Sequence, residues 1–307
     1  MILMLYQTNI LGYIGTEKNQ INKKNKLIIW DENAQKVISE LRFCENILNF
    51  KLRRDKIFIV CKCKIYIFTL ETLEGIDIIK TCENINGAFG ISYNYSNAIF
   101  AYPSLQKGKI QIKNDKNNND IIVNAHEKNI AMIKLTFNGN LMASATEMGT
   151  IIRIFDTKNG NLIKELRRGK EKTLIKDICF DENDVLMAVS SSRGTVHIWS
   201  ISDNLNEDMK IIKDNKLELS EKQENEQIKK IQNKRSILKG MSKVFGDFFN
   251  SEWSFAQVRI KDENTICCFG EDNTIIIVAT SGIYYKVKIP VEKGGNCQII
   301  QQENFII

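Results

Sequence analysis

Histidine is nearly absent: the 307 residues hold two, His126 and His197. That scarcity removes most histidine-based catalysis. Proline is as scarce, at Pro103 and Pro290 only, so few strands are interrupted. No run of about eighteen apolar residues occurs, which excludes a membrane-spanning helix. The apolar start MILMLYQTNILGYIG has no basic leading region and no small-residue cleavage site, and reads as strand rather than secretory signal. The eight cysteines form no paired C-x-x-C set, so a metal site is not expected. Most lie in apolar runs such as FIVCKCKIYIF and read as reduced core thiols of a cytosolic protein. A Gly-rich phosphate loop, a G-x-S-x-G turn and a Cys/His pair at a diagnostic spacing are all missing, so neither enzyme nor cofactor is expected. Charge is close to balanced, 43 Lys+Arg against 37 Asp+Glu. A net +6 permits an anionic partner without demanding one. No interleaving of aromatic and basic residues supports nucleic acid.

What is present is a repeat. A glycine-containing turn is followed by a β-branched strand that ends in an aromatic or polar residue. Its instances are KLIIWDEN at 26–33, KIYIFTLE at 64–71, KIQIKND at 109–115, GTIIRIFDT at 149–157, GTVHIWSI at 194–201 and SGIYYKVKI at 281–289. The steps are about 44 residues, once 38, and the last about 87. That period, with runs such as IAMIKLTF, NLMASAT, IKDICF and VLMAVSSS between, predicts the four-stranded blades of an all-β propeller. The whole chain, 1–307, reads as one propeller domain. Six repeats are visible, and six- and seven-bladed rings both exist.

The long last step contains an insertion, residues 203–250. Its first half leans acidic and is expected to be disordered. From Gln227 it reads QIKKIQNKRSILKGMSKVFGDFF. Ile228, Ile231, Leu238, Met241, Phe245 and Phe248 recur at three- and four-residue steps among lysines and Arg235. This predicts an amphipathic helix over 227–249 with a basic face, suited to a membrane interface or to docking on the propeller side.

Between the fourth and fifth repeats stands LIKELRRGKEK. In an extended chain the adjacent Arg167 and Arg168 point to opposite sides, so they would serve two sites. Guanidinium groups suit phosphate oxygens, and Gly169 permits a turn. An Arg-Arg pair is otherwise simply solvated surface charge. Around Arg167 the sequence gathers Ser144, Thr146, Thr150 and Arg153; around Arg168 it gathers Ser191, Thr195 and His197. Hydroxyls and cations about a fork donor make a phosphate pocket. Thr195 and His197 are two apart, but Thr150 and Arg153 are three apart, so the earlier set needs a bulge or another geometry.

The stretch AHEKNIAMIKLTFNGNLMASATEMGTIIRIFDTKNGNLIKELRRG with AVSSSRGTVHIW resembles the PROPPIN family of WIPI-type phosphoinositide-binding WD-repeat propellers. The hallmark is Leu166, Arg167, Arg168 and Gly169, and the likeness extends to NKLIIWDE, KLRRDKIFIV, FNSEWSF and SGIYYKVKI. The resemblance implies a seven-bladed ring, of which the first blade has no counterpart here. It implies a peripheral membrane protein that binds phosphatidylinositol 3-phosphate and phosphatidylinositol 3,5-bisphosphate at two rim sites. Carried over by position, the first uses Arg167 with Ser144, Thr146, Gly149, Thr150, Arg153 and His126. The second uses Arg168 with Gly169, Ser191, Thr195 and His197. It also implies membrane contact by the insertion through Ile231, Leu238, Met241, Phe245 and Phe248. The implied setting is a cytoplasmic protein recruited to phagophore or endosomal membranes in autophagy or endolysosomal traffic. A lipid-transfer protein is the implied partner, with the surface near KLRRD as candidate contact. The competing expectation is a plain WD-repeat scaffold for proteins, with no lipid binding.

Overall fold

The structure, a computed structural model, describes residues 1–15, 23–117, 120–201, 233–235 and 251–306. Among these residues the chain forms six sheets, each containing a four-stranded antiparallel meander. The third strands are Lys26–Asp31, Lys64–Thr69, Lys109–Asn114, Ile151–Asp156, Thr195–Ser200 and Ile283–Lys288. Every repeat picked out in the sequence is thus the same strand of successive sheets. The start also behaves as read: Ile2–Met4 and Ile10–Ile14 pair as a hairpin. The chain falls into two compact units, Met1–Ile133 and Lys134–Ile307.

In the first unit, central strands are buried on both faces. Ile57 and Ile59 join a cluster with Leu27, Ile29 and Phe50. Phe58 and Val60, one residue along, join Phe89, Ile91 and Phe100. Alternate side chains serve opposite neighbours, which is why KIFIV shows no polar alternation. Fourth strands are outermost and carry the exposure: Gly75–Lys80 is exposed at all but one position.

In the second unit, Ile198, Val258, Ile275, Ile277 and Val287 form one core across the fifth and sixth sheets. The insertion separates the third strand of the fifth sheet from its fourth, Ala256–Arg259. Its base is pinned. Buried Asn233 accepts from the Ser200 amide at 2.8 Å and donates to the Ser200 carbonyl at 2.7 Å. Lys234–Arg235 pairs with Glu252–Trp253, which adds in parallel to the outer strand Leu162–Arg167 of the fourth sheet. At Lys234–Arg235 the segment expected to be helical is therefore extended, because a sheet edge there accepts its backbone. Ile231, Leu238, Met241, Phe245 and Phe248 lie outside the described residues.

The cysteines need correction. Cys61, Cys179 and Cys267 are buried, but Cys44, Cys63 and Cys268 are exposed. Cys268 follows Cys267 on a strand and points to the other face.

Candidate anion-binding site

Arg167 ends the strand Leu162–Arg167, and Arg168 begins the loop after it. Both side chains are buried, with residue exposures of 4% and 7%. Their partners differ. Arg167 donates from Nε to Ser251 Oγ at 2.9 Å. Arg168 donates from Nε to the Gly149 carbonyl at 2.9 Å and from a terminal nitrogen to the Glu171 carbonyl. Its amide also donates to the Thr150 carbonyl, at 2.9 Å. Burial lowers the pKa of both guanidinium groups, and the charge of Arg193 presses further on Arg168. An arginine stays charged all the same. The fold therefore holds two cations where water solvates them poorly, a setting that strengthens attraction to an anion.

The site-two residues gather on the fifth sheet. Ser191 is buried and its Oγ donates weakly to the Thr195 carbonyl at 3.4 Å. Thr195 is half-buried at the start of the third strand. His197 shares a hydrogen bond between Nδ1 and Ser254 Oγ at 3.0 Å and leans on the Trp199 ring. Burial, with the charge of Arg168, pushes its pKa down to about 4. At neutral pH His197 is thus a neutral donor or acceptor, and the reading of it as a further cation is corrected.

Site one differs in geometry. Ser144 is fully buried and lies opposite Arg153 in the ladder. Arg153 is already matched: its Nε and a terminal nitrogen both reach Glu165 Oε2, each at 2.9 Å. Thr146 Oγ1 accepts from the Met148 amide at 3.3 Å, a turn-stabilising contact. The irregularity foreseen between Thr150 and Arg153 is not a bulge, since the ladder runs unbroken from Leu141↔Asp156 to Ala145↔Ile152. The hairpin turn instead holds residues 147–150, against 192–194 in the next sheet. In consequence Ile151, not Thr150, occupies the ladder position of Thr195, and Val189 occupies that of Ser144. The two hydroxyl sets are not copies. His126 belongs to the first unit, where its amide donates to the Gly108 carbonyl at 2.9 Å.

Glycine matters at Gly149 and Gly194, not at Gly169. The first two have φ of 59° and 67°, and a Cβ on either would run into the carbonyl of Thr173 or Ile260. Gly169 has no left-handed φ and open space where a Cβ would stand. The turn-permitting role assigned to Gly169 is corrected accordingly.

Sequence reasoning missed Ser251, Ser254, Glu171 and Arg193. Ser251 and Ser254 lie beyond the insertion, 84 and 57 positions from Arg167 and His197. Both stand in FNSEWSF, a stretch legible as family-like but mute about its contacts. The KLRRD surface is also half withdrawn. Arg53 is 1% exposed and clasped by Asp55 and Asp115, so only Arg54 of that pair faces outward.

Six four-stranded meanders, repeated at a WD-like period, define a β-propeller of the WD-repeat class. Within that class the chain belongs to the PROPPIN family, whose model matches residues 20–306. It is 28% identical to Autophagy-related protein 18e of Arabidopsis thaliana over 98% of this chain and 75% of that protein. It is 30% identical to SVP1-like protein 2 of Debaryomyces hansenii over 66% of this chain and 54% of that protein. In fold it is similar to Kluyveromyces lactis Hsv2, with a TM-score of 0.73, 22% identity and coverage of 99% and 86%. It is likewise similar to KlAtg21 in a complex with the coiled-coil of AgAtg16, with a TM-score of 0.74, 22% identity and coverage of 100% and 85%. No described helix is long and apolar enough to cross a membrane.

Proposed function

We propose that this chain is a non-enzymatic effector that reads 3-phosphorylated phosphoinositides on membranes in autophagy or endolysosomal traffic. Phosphatidylinositol 3-phosphate and phosphatidylinositol 3,5-bisphosphate are its ligands. Arg167 and Arg168 each hold a headgroup phosphate. The observation that carries this is the burial of two adjacent guanidinium groups with separate partner sets. Arg168 works with Ser191, Thr195 and neutral His197. Arg167 works with the hydroxyls of Ser144 and Ser251, and with Thr146, Gly149 and Thr150. Arg153 orients this site through Glu165. Ser251 closes the insertion, so the segment proposed to touch the bilayer ends at Arg167. A protein partner accompanies the lipid; the Atg16 coiled-coil on KlAtg21 shows that a relative of this fold engages one. The proposed partner here is a lipid-transfer protein, meeting the surface at Arg54.

The test is vesicle co-sedimentation across a phosphoinositide panel, with the native chain beside Arg167→Ala/Arg168→Ala. Selective binding to 3-phosphorylated lipids that disappears in the folded double variant is the expected result. A folded native chain indifferent to every phosphoinositide overturns it and leaves the protein-scaffold reading.

A further inference from the structure

The anion site leaves two buried thiols of the second unit unused. Cys179 stands on Ile175–Phe180, the first strand of the fifth sheet, and Cys267 on Thr265–Gly270, the first strand of the sixth. Each residue is 6% exposed. Cys179 donates from Sγ to Cys267 Sγ at 3.5 Å. All the cysteines are free thiols, so this contact is unbonded. A disulfide holds its sulfurs about 2.05 Å apart, so closure asks each sulfur to move by less than about 1 Å.

The strands that carry the two thiols are already fastened beside them. The Cys267 amide donates to Asp177 Oδ2 at 3.0 Å, and Asp177 lies on the same side of its strand as Cys179. Ser190 Oγ, on the neighbouring strand Leu186–Ser191, donates to the Thr265 carbonyl at 2.9 Å. Both sulfurs belong to one core with Ile198, Ile275 and Ile277. They meet through close packing between two sheets rather than through mobile loops. Cys268, next in sequence, is exposed on the other face and cannot join the pair without turning its strand.

We infer that Cys179 and Cys267 are a site of reversible oxidation, at which a small disulfide compound converts the two thiols into one intrachain disulfide between the fifth and sixth sheets. One cysteine sulfur attacks the S–S bond of the reagent, forms a mixed disulfide and releases one thiol. The other cysteine sulfur attacks the protein sulfur of that adduct, forms the Cys179–Cys267 bond and releases the second thiol. The protein gives up two electrons and two protons, and the reagent takes both. The contact with Cys179 and burial raise the pKa of Cys267, so little thiolate is present and the reaction waits on opening between the sheets. Once closed, the bond spans 88 positions and encloses the insertion 203–250. Linking so long a loop restricts the unfolded chain, and the folded form gains by comparison.

The experiment treats the folded full chain with cystamine, in buffer and in dilute urea. Disulfides are mapped by peptide mass spectrometry, and urea melts are run with and without dithiothreitol. Cys268→Ser, Cys179→Ala and Cys267→Ala run beside the native chain. The native chain and Cys268→Ser should yield a Cys179–Cys267 peptide pair, and their unfolding equilibrium constant should fall about tenfold or more until dithiothreitol restores it. Cys179→Ala and Cys267→Ala should yield no intrachain link and no such gain. The native map decides by itself if an alanine variant fails to fold. A bond from either cysteine to Cys268 overturns the site. So does a folded chain whose two thiols survive excess cystamine in dilute urea, or a linked chain no more stable than the reduced one.

Discussion

Leu-Arg-Arg occurs twice in this chain, as Leu52–Arg53–Arg54 followed by Asp55 and as Leu166–Arg167–Arg168 followed by Gly169. In both copies the leucine is core, and the arginine after it is buried. The electrostatic outcomes are opposite. Burial works against the charge on Arg53, but hydrogen bonds and attraction from Asp55 and Asp115 outweigh it and raise its pKa. Arg53 Nε meets Asp55 Oδ1 at 2.6 Å, and the guanidinium also lies over the Phe58 ring. Burial lowers the pKa of Arg167 and Arg168. Their hydrogen bonds include a hydroxyl and backbone carbonyls, and the Glu165 and Glu171 carboxylates offset only part of the burial. A buried arginine matched by carboxylates is a clasp. One whose neighbouring carboxylates do not outweigh its burial still attracts an anion from outside.

The strongest break of this contrast is Arg53→Ala. It leaves Asp55 and Asp115 facing an empty place, and should destabilise the chain by about 3 kcal/mol in urea melts. Headgroup binding by the folded fraction should be unchanged. If Arg53→Ala leaves the melt untouched, the clasp is not structural.

Next comes Gly169→Asp, which rewrites the second copy as the first. The position has open space and no left-handed φ, so stability should move by less than about 0.5 kcal/mol. The new carboxylate should compete for the arginines and lower headgroup affinity about tenfold. Undiminished affinity in co-sedimentation would mean that the carboxylate, not merely the sequence, must be placed by the fold.

The smallest effect is in pH. Arg168 helps hold His197 down at about 4, below its ordinary 6.5. The unfolded chain then binds the extra proton first, so His197 lowers stability as pH falls from 6.5 toward 4. Asp184 runs the other way: burial, with Asp181 beside it, raises its pKa from 3.8 to about 6. It adds stability as pH falls through 6, because the folded chain takes the proton first. The native chain should therefore show a shallow profile between pH 6.5 and 4. His197→Gln should gain stability on acidification over that range, and Asp184→Asn should lose it. Parallel profiles in urea melts would show that neither group is held as described.

Legibility in the sequence followed distance along the chain. The six third strands were readable because a turn glycine and a β-branched run act locally, within a few residues. The turn length between Thr146 and Ile151 was harder, since its registry depends on which residues the ladder pairs. Three exposed cysteines looked like core because the apolar runs around them also contain turns and second faces.

By itself, then, the sequence determined the blade period, the family-like motif and the placement of two cations at one strand end. Tertiary structure alone decided what each arginine meets. Asp115 comes to Arg53 across 62 positions, and Ser251 to Arg167 across 84. Side-chain partners of that separation are chosen by packing between sheets, and packing leaves no periodic trace in the chain.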